Sequence, residues 1–277
     1  ADATGMGEPA PLMGMGRFVH EAAAVDASTG IVYMTEDEGD GLFYRYVPDT
    51  PGILRRGGRL EAVVIRAQAG ADLTNHPDAS NRVVKARPGQ AFDVDWVTVA
   101  DIEAPGNDLR LQGRAMGAAI FARGEGMAVA VEAQRTVIYF ASTSGGAAKK
   151  GQIWRYVPSE NEGLPYERGG PGQLSLFVES AGESHFDYAD NIVASPGGDI
   201  IMCEDGDGDN YLRGVTRKGS VYTIARNALP GQSELCGACF SPDGSTMFVN
   251  IQNPGITLAI RGDWAGLSRK ADELAAG

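Results

Sequence analysis

Four carboxylates stand at comparable places along the chain: Glu21, Glu125, Asp190 and Glu234, each about seven to eleven residues ahead of a turn. Brought to one locus, four such groups repel, and each raises the pKa of the others unless a cation neutralises them. Hard oxygen donors favour calcium, magnesium, manganese or ferric iron over zinc, which prefers nitrogen and sulfur. A second acidic layer follows in Glu36-Asp37-Glu38-Gly-Asp40 and Glu204-Asp205-Gly-Asp207-Gly-Asp209, so Glu36, Asp37, Glu204 and Asp205 are further candidate ligands. The latter run resembles a calcium loop, but without the twelfth-position glutamate and flanking helices of an EF-hand. Arg123 lies two positions before Glu125 and so shares its strand face. A guanidinium among acids suits either a fork for an anionic oxygen group such as phosphate or a counter-ion for Glu125. His20 points away from Glu21 and reads as structural, and His76 and His185 read as loop residues. The sequence contains no nucleophile elbow, P-loop or dinucleotide-binding glycine motif.

A repeat supplies the elements that must hold these groups. The segments 25–36, 193–204 and 240–250 share one pattern: a strand, a turn built on Gly or Pro, and a second strand ending on a polar residue. A fourth copy, 131–142, keeps the strands and loses the glycine. Outer strands recur as well, with residues 42–48 echoed at 153–158 and residues 220–226 expected in the same place. Helical periodicity is confined to the tail, residues 268–276. This is an all-β pattern, and repeated antiparallel units of this size make a β-propeller, each unit a radial blade whose first strand lines a central channel. Small residues in the first strands (22–25, 127–131, 192–194, 236–239) fit crowding near an axis. Four blades are recognisable in a single domain spanning 1–277, with residues 59–114 expected as an insertion or partial blade. The spacing Cys236-Gly-Ala-Cys239 reads as two buried small residues on a strand rather than a zinc knuckle or thioredoxin site.

Composition narrows the partners. The chain has 277 residues, with 36 acidic against 24 basic side chains and 38 glycines. A net charge of −12 argues against sequence-independent binding of nucleic acid or of an anionic membrane face. No apolar run is long enough to span a bilayer, and no signal peptide is visible in residues 1–16. Three cysteines exclude a disulfide scaffold. The residues alone leave three functions open: a metal-assisted hydrolase of phosphate esters, a calcium-dependent propeller lactonase or sugar-ester hydrolase, and a calcium-stabilised module without catalysis.

The strings that carry these residues resemble the PhoX-type alkaline phosphatase family: Gly16-Arg-Phe-Val-His-Glu21, Gly30-Ile-Val-Tyr-Met-Thr-Glu36-Asp37, Arg123-Gly-Glu125-Gly126, Asp190-Asn191-Ile192, Cys203-Glu204-Asp205-Gly206, Tyr211-Leu-Arg213-Gly214 and Gly237-Ala-Cys-Phe-Ser-Pro-Asp-Gly244. The resemblance runs in family order over nearly the whole chain. It implies a propeller, six-bladed in the family, with a mixed iron and calcium cluster (Fe3+ and Ca2+) in its mouth, hydrolysing phosphomonoesters in the periplasm or outside the cell as a monomer. Carried over, Glu21, Glu125, Asp190 and Glu234 would be metal ligands, with Glu36, Asp37, Glu204 and Asp205 as further ones. Arg123 would bind phosphate, with Asn191 beside it on the substrate. The family pattern places a twin-arginine signal and an iron-binding Cys-Glu-Glu stretch upstream of Gly16, so the chain is expected to be the C-terminal, larger part of the propeller.

Overall fold

The alternation of apolar and polar residues resolves into seventeen strands and one short helix in the computed structural model, which describes residues 9–79, 83–183 and 185–267. The first antiparallel meander is β1 (His20–Val25), β2 (Val32–Glu36), β3 (Gly41–Pro48) and β4 (Gly58–Ile65). The strand β5 (Ala91–Thr98), the helix α1 (Leu109–Ala115) and the two-residue β6 (Ile120–Phe121) lie between it and the second meander. That one is β7 (Gly124–Glu132), β8 (Arg135–Ser142), β9 (Gln152–Val157) and β10 (Gln173–Glu179). The third is β11 (Ala189–Ala194), β12 (Ile200–Glu204), β13 (Tyr211–Val215) and β14 (Val221–Arg226), and the fourth is β15 (Leu235–Phe240), β16 (Thr246–Ile251) and β17 (Ile256–Arg261). The first strands pack side by side in the order β1, β7, β11, β15, and the sheets radiate outward from them. The fold is all-β and propeller-like.

Each interface between meanders is an apolar sandwich fed by every second residue of the strands. Tyr33, Phe43 and Val63 of the first meet Phe140 and Trp154 of the second. Val137, Tyr139 and Ala141 meet Ile200, Met202 and Val215 of the third, whose Ile201, Cys203 and Leu212 meet Met247, Val249 and Ile251 of the fourth. The outward face of the first meander (Val32, Met34, Tyr44, Leu60) is covered by Phe18 and by Ala104, Leu109 and Ala118 from the segment carrying α1.

Three expectations change. Residues 58–65 form the fourth strand of the first meander, and β5 bridges β4 to β10, joining the first two meanders at their outer edges. The inserted material is therefore shorter than residues 59–114 and is partly woven into the sheet. Residues 220–226 form a fourth strand, not a third. The third-strand place is taken by Tyr211–Val215, where Gly214 leaves room for the ring of Tyr222 on the neighbouring strand. Cys236 is half-buried and Cys239 exposed, because β15 has one covered face only. The helical tail, residues 268–276, lies outside the described residues.

A buried ion network pins the bridged outer rim. Arg45, 2% exposed, donates to Glu61 at 2.7 Å, to Glu162 at 2.6 Å and to Glu167 at 2.6 and 2.8 Å, with its guanidinium 4.3 Å from the Trp96 ring centre. Tyr33 and Tyr156 donate to Glu162 as well. Removing the cation takes the charged partner from the buried Glu162 and leaves Glu61 paired with Arg59, and breaking a buried pair of this kind costs about 3–5 kcal/mol. Arg45→Met is therefore expected to lower the thermal midpoint steeply, and Arg45→Lys to rescue little, since an ammonium cannot span three acids as the fork does. A midpoint in Arg45→Met equal to that of the unmodified chain would show that the network does not stabilise the rim.

Candidate metal and phosphate site

The four inner strands share one irregularity. Opposite a single residue of the second strand, each first strand has two: Glu21 and Ala22 face Thr35, Glu125 and Gly126 face Ala141, Asp190 and Asn191 face Cys203, and Gly237 and Ala238 face Val249. Such a bulge bends the strand and re-aims its side chains. In three of the four, the first bulged residue is an acid. In the fourth that place belongs to Gly237, at φ 63, and the carboxylate comes instead from Glu234, three positions earlier and ahead of the strand.

These bulges bring the acids together in two groups. One ligand oxygen each of Glu21, Glu125 and Asp190 lie within 4.8 Å of one another, and so do those of Asp190, Asp205 and Glu234. Asp190 belongs to both. Close approach of the backbones makes this possible: a Cβ on Gly126 would sit 2.5 Å from Asp190 O and 2.7 Å from Ile192 N. Thr35, which the sequence reading passed over, ties two bulges together, donating to Glu125 O at 2.6 Å and accepting from Ala22 N at 3.1 Å. Nothing in its strand context marked it out.

Electrostatics follow from the crowding. Burial, then Asp190, Asp37 and Glu21, push the Glu125 carboxyl up to about 9, against the opposing pull of Arg123. Burial, then Glu234 and Asp205, push Asp190 up to about 7. Glu21, Glu234 and Asp205 are raised too, burial being the largest cause in each. Carboxylates whose ionised forms are penalised by their neighbours fit a hard cation, which removes the penalty. Among the described residues, neither group includes a histidine or thiol.

Arg123 occupies the rim beside Glu125. Its Nε and Nη2 donate to the two oxygens of Asp37 at 2.7 and 3.1 Å, and Nη2 donates also to Glu125 at 2.9 Å. Its backbone is held at φ 54, a conformation uncommon outside glycine. Asp37 thus faces the arginine. Asn191 donates from Nδ2 to Asp190 at 3.1 Å and accepts from Gly237 N, linking the third meander to the fourth.

Glu36 and Glu204 do not join the groups. Each turns inward at the end of a second strand to satisfy the following turn: Glu36 accepts from Leu42 N at 3.1 Å and Tyr44 Oη at 2.9 Å, Glu204 from Asp187 N, Tyr211 N and Arg213 Nε at 2.8–3.1 Å. Both are buried. Of the acid-rich run that resembled a calcium loop, Asp205 alone reaches a group, while Asp209 pairs with Arg226 at 2.6 Å. His20 stacks on Phe18 at 3.5 Å between ring centres, as a structural residue would.

Two outcomes follow. Because the folded-state pKa values of Glu125 and Asp190 lie above their ordinary values of 4.5 and 3.8, the folded chain holds protons that the unfolded chain releases. Stability of the metal-free protein should therefore fall as pH rises from about 4 through about 9. Thermal unfolding in chelator across that range checks it, and calcium should flatten the slope; a profile rising with pH would contradict the packing of these acids. Gly126→Ala pushes β7 from β11, and titration calorimetry should find calcium bound about tenfold more weakly, or about 1.4 kcal/mol.

Comparison with known proteins places the chain in a family. A family model described as alkaline phosphatase PhoX matches residues 2–255. No curated protein matches the chain. Among solved structures, PhoX of Pseudomonas fluorescens, in complex with vanadate, a transition state analogue, superposes with a TM-score of 0.63 at 19% identity, covering 91% of this chain and 55% of that one. The chain thus spans about half the length of that relative. A gluconolactonase of Xanthomonas campestris (11% identity, 88% and 72% of the two chains, TM-score 0.37) and the calcium-binding protein regucalcin of Agrobacterium tumefaciens (14%, 86% and 84%, TM-score 0.35) are more distant in shape. With a family match over nearly the whole chain, the chain belongs to the PhoX alkaline phosphatase family.

Proposed function

We propose that this protein is an exported, metal-dependent phosphomonoester hydrolase whose site is the acidic mouth where β1, β7, β11 and β15 begin, and that its four meanders are an arc of a six-bladed ring. The observation that carries the reading is an arginine fork fixed by Asp37 beside two carboxylate groups that share Asp190. Glu21, Glu125, Asp190, Asp205 and Glu234 would hold the cations, calcium and ferric iron by family likeness. Bound there, such cations supply Lewis-acid polarisation of a phosphoryl group and an ionised water at neutral pH.

The chain's own residues do the rest. Arg123 has its Nε and Nη2 engaged by acids, and its Nη1 has no partner among the described residues, so that edge is left for phosphoryl oxygens. A fork already held in place loses little freedom on binding and offsets negative charge that grows in the transition state. Asn191 gives one Nδ2 hydrogen to Asp190 and has a second for a substrate oxygen. That the Pseudomonas fluorescens relative binds vanadate, a transition state analogue, supports a phosphate-like substrate for this chain.

The test is hydrolysis of p-nitrophenyl phosphate by the purified chain, before and after chelation, with calcium and iron restored separately and a lactone as competing substrate. Arg123→Ala is expected to lower kcat/KM about 100-fold or more at unchanged metal content. Equal loss of metal and turnover would make Arg123 a counter-ion, and turnover of the lactone in place of the phosphoester would overturn the reading.

A further inference from the structure

The segment that covers the first meander also reaches the mouth. Asp40 accepts from Arg110 Nε at 2.8 Å and from Arg114, and Glu38 accepts from Asn107 Nδ2 at 2.9 Å, with Arg110 Nη1 3.8 Å away. Arg110 is itself fixed by donating to Asn107 O at 2.6 Å, and its side chain is 17% exposed. Arg114, at 41%, is the more solvated partner. This clamp therefore differs from an ordinary surface pair: one cation is half-buried and is oriented by bonds to both Asp40 and Asn107 O, a bidentate arrangement that holds geometry better than a single exposed contact.

What the clamp grips is the turn between β2 and β3, and that turn holds the arginine. Glu38 O accepts Arg123 N at 2.9 Å, while Asp37 takes the guanidinium. The turn has no slack. Gly41 N returns to Glu38 O at 2.9 Å, and a Cβ on Gly41 would fall 2.4 Å from Glu36 O. Asp37 N is tied to Val19 O at 3.0 Å. Residues 37–41 therefore move as one piece, with Arg110 and Asn107 on one side and Arg123 on the other.

We propose that Arg110, together with Asn107, is a positioning residue for Arg123: the segment around α1 fixes the turn at 37–40, and the turn fixes where the fork points. The inserted segment thereby does more than cover an apolar face, since it sets the geometry of the site from outside it. Use of the fork on phosphate rests on the phosphatase reading above, whereas the holding of Arg123 does not.

The experiment separates the two. In the full chain under chelation, exchange of the Arg123 Nε hydrogen, followed by nitrogen-15 NMR, reports the grip of Asp37 directly. Arg110→Gln and Asp40→Asn should each speed that exchange about tenfold. Arg226→Gln, which removes the pair with Asp209, should leave it unchanged. In the metal-loaded chain, the inhibition constant for inorganic phosphate should rise by a similar factor in Arg110→Gln, and Arg110→Gln should add nothing further in an Arg123→Ala background. Exchange that stays at the unmodified rate in both clamp variants overturns the proposal, as does an additive effect in the double variant. Faster exchange with an unchanged phosphate constant upholds the positioning and instead removes phosphate binding from Arg123.

Discussion

Acids held within reach of a single cation repel one another once ionised without it, and much of the mouth is arranged around that repulsion. Asp190 stands in both groups, so its charge is opposed from two sides, by Glu21 and by Glu234 with Asp205. Such crowding persists only where the backbone forbids the groups to drift apart. Here it does: Gly126 lets β7 and β11 touch, Thr35 ties two bulges, and Asn191 joins a third bulge to the fourth. A cation bound at the mouth would relieve this repulsion, and occupancy of the site and stability of the fold would then be one linked quantity.

The outer rim handles buried charge differently. Around Arg45, each acid has a hydrogen-bonding partner, and the network spans β3, β4 and the loop that follows β9. The acids there also outnumber their cations, but the guanidinium of Arg45 and the hydroxyls of Tyr33 and Tyr156 occupy their oxygens and hold two meanders together; at the mouth Arg123 reaches Asp37 and Glu125 only, and the remaining acids face one another. Two clusters built from the same residue types thus differ in how far hydrogen-bond donors of the chain satisfy the acids, which makes one a fastener and the other a candidate binding site.

Much of this was legible from residue order. Glu21, Glu125 and Asp190 recur before their turns because each opens a bulge in an inner strand, and a repeat displays such a position several times. Glu234 was found by the same spacing but for a different physical reason, since its own bulge begins at Gly237 and the carboxylate arrives from the preceding loop. Glu36 and Glu204 looked like ligands because they head acid-rich runs. Whether such a residue faces a cation or its own turn depends on which backbone N–H groups the turn leaves unpaired, and that is decided only when the following strand doubles back. Residues 59–114 read as an insertion because β5, which lies within them, pairs on one side with β10, far away in sequence. Periodicity carries no trace of such pairing.

Each of the three bulged acids occupies a residue that the ladder itself does not need. Loss of Glu21, Glu125 or Asp190 by deletion would restore continuous pairing, with His20 still opposite Glu36 and Ala23 still opposite Met34, and the apolar faces on both sides unturned. The bulged acids are additions to a sheet that is already complete. A lineage carrying this architecture could therefore gain or shed carboxylates at the mouth by changes of a single codon in length, leaving the hydrophobic sandwiches between meanders intact. Chemistry at the axis and packing between the sheets are, to that extent, separately heritable.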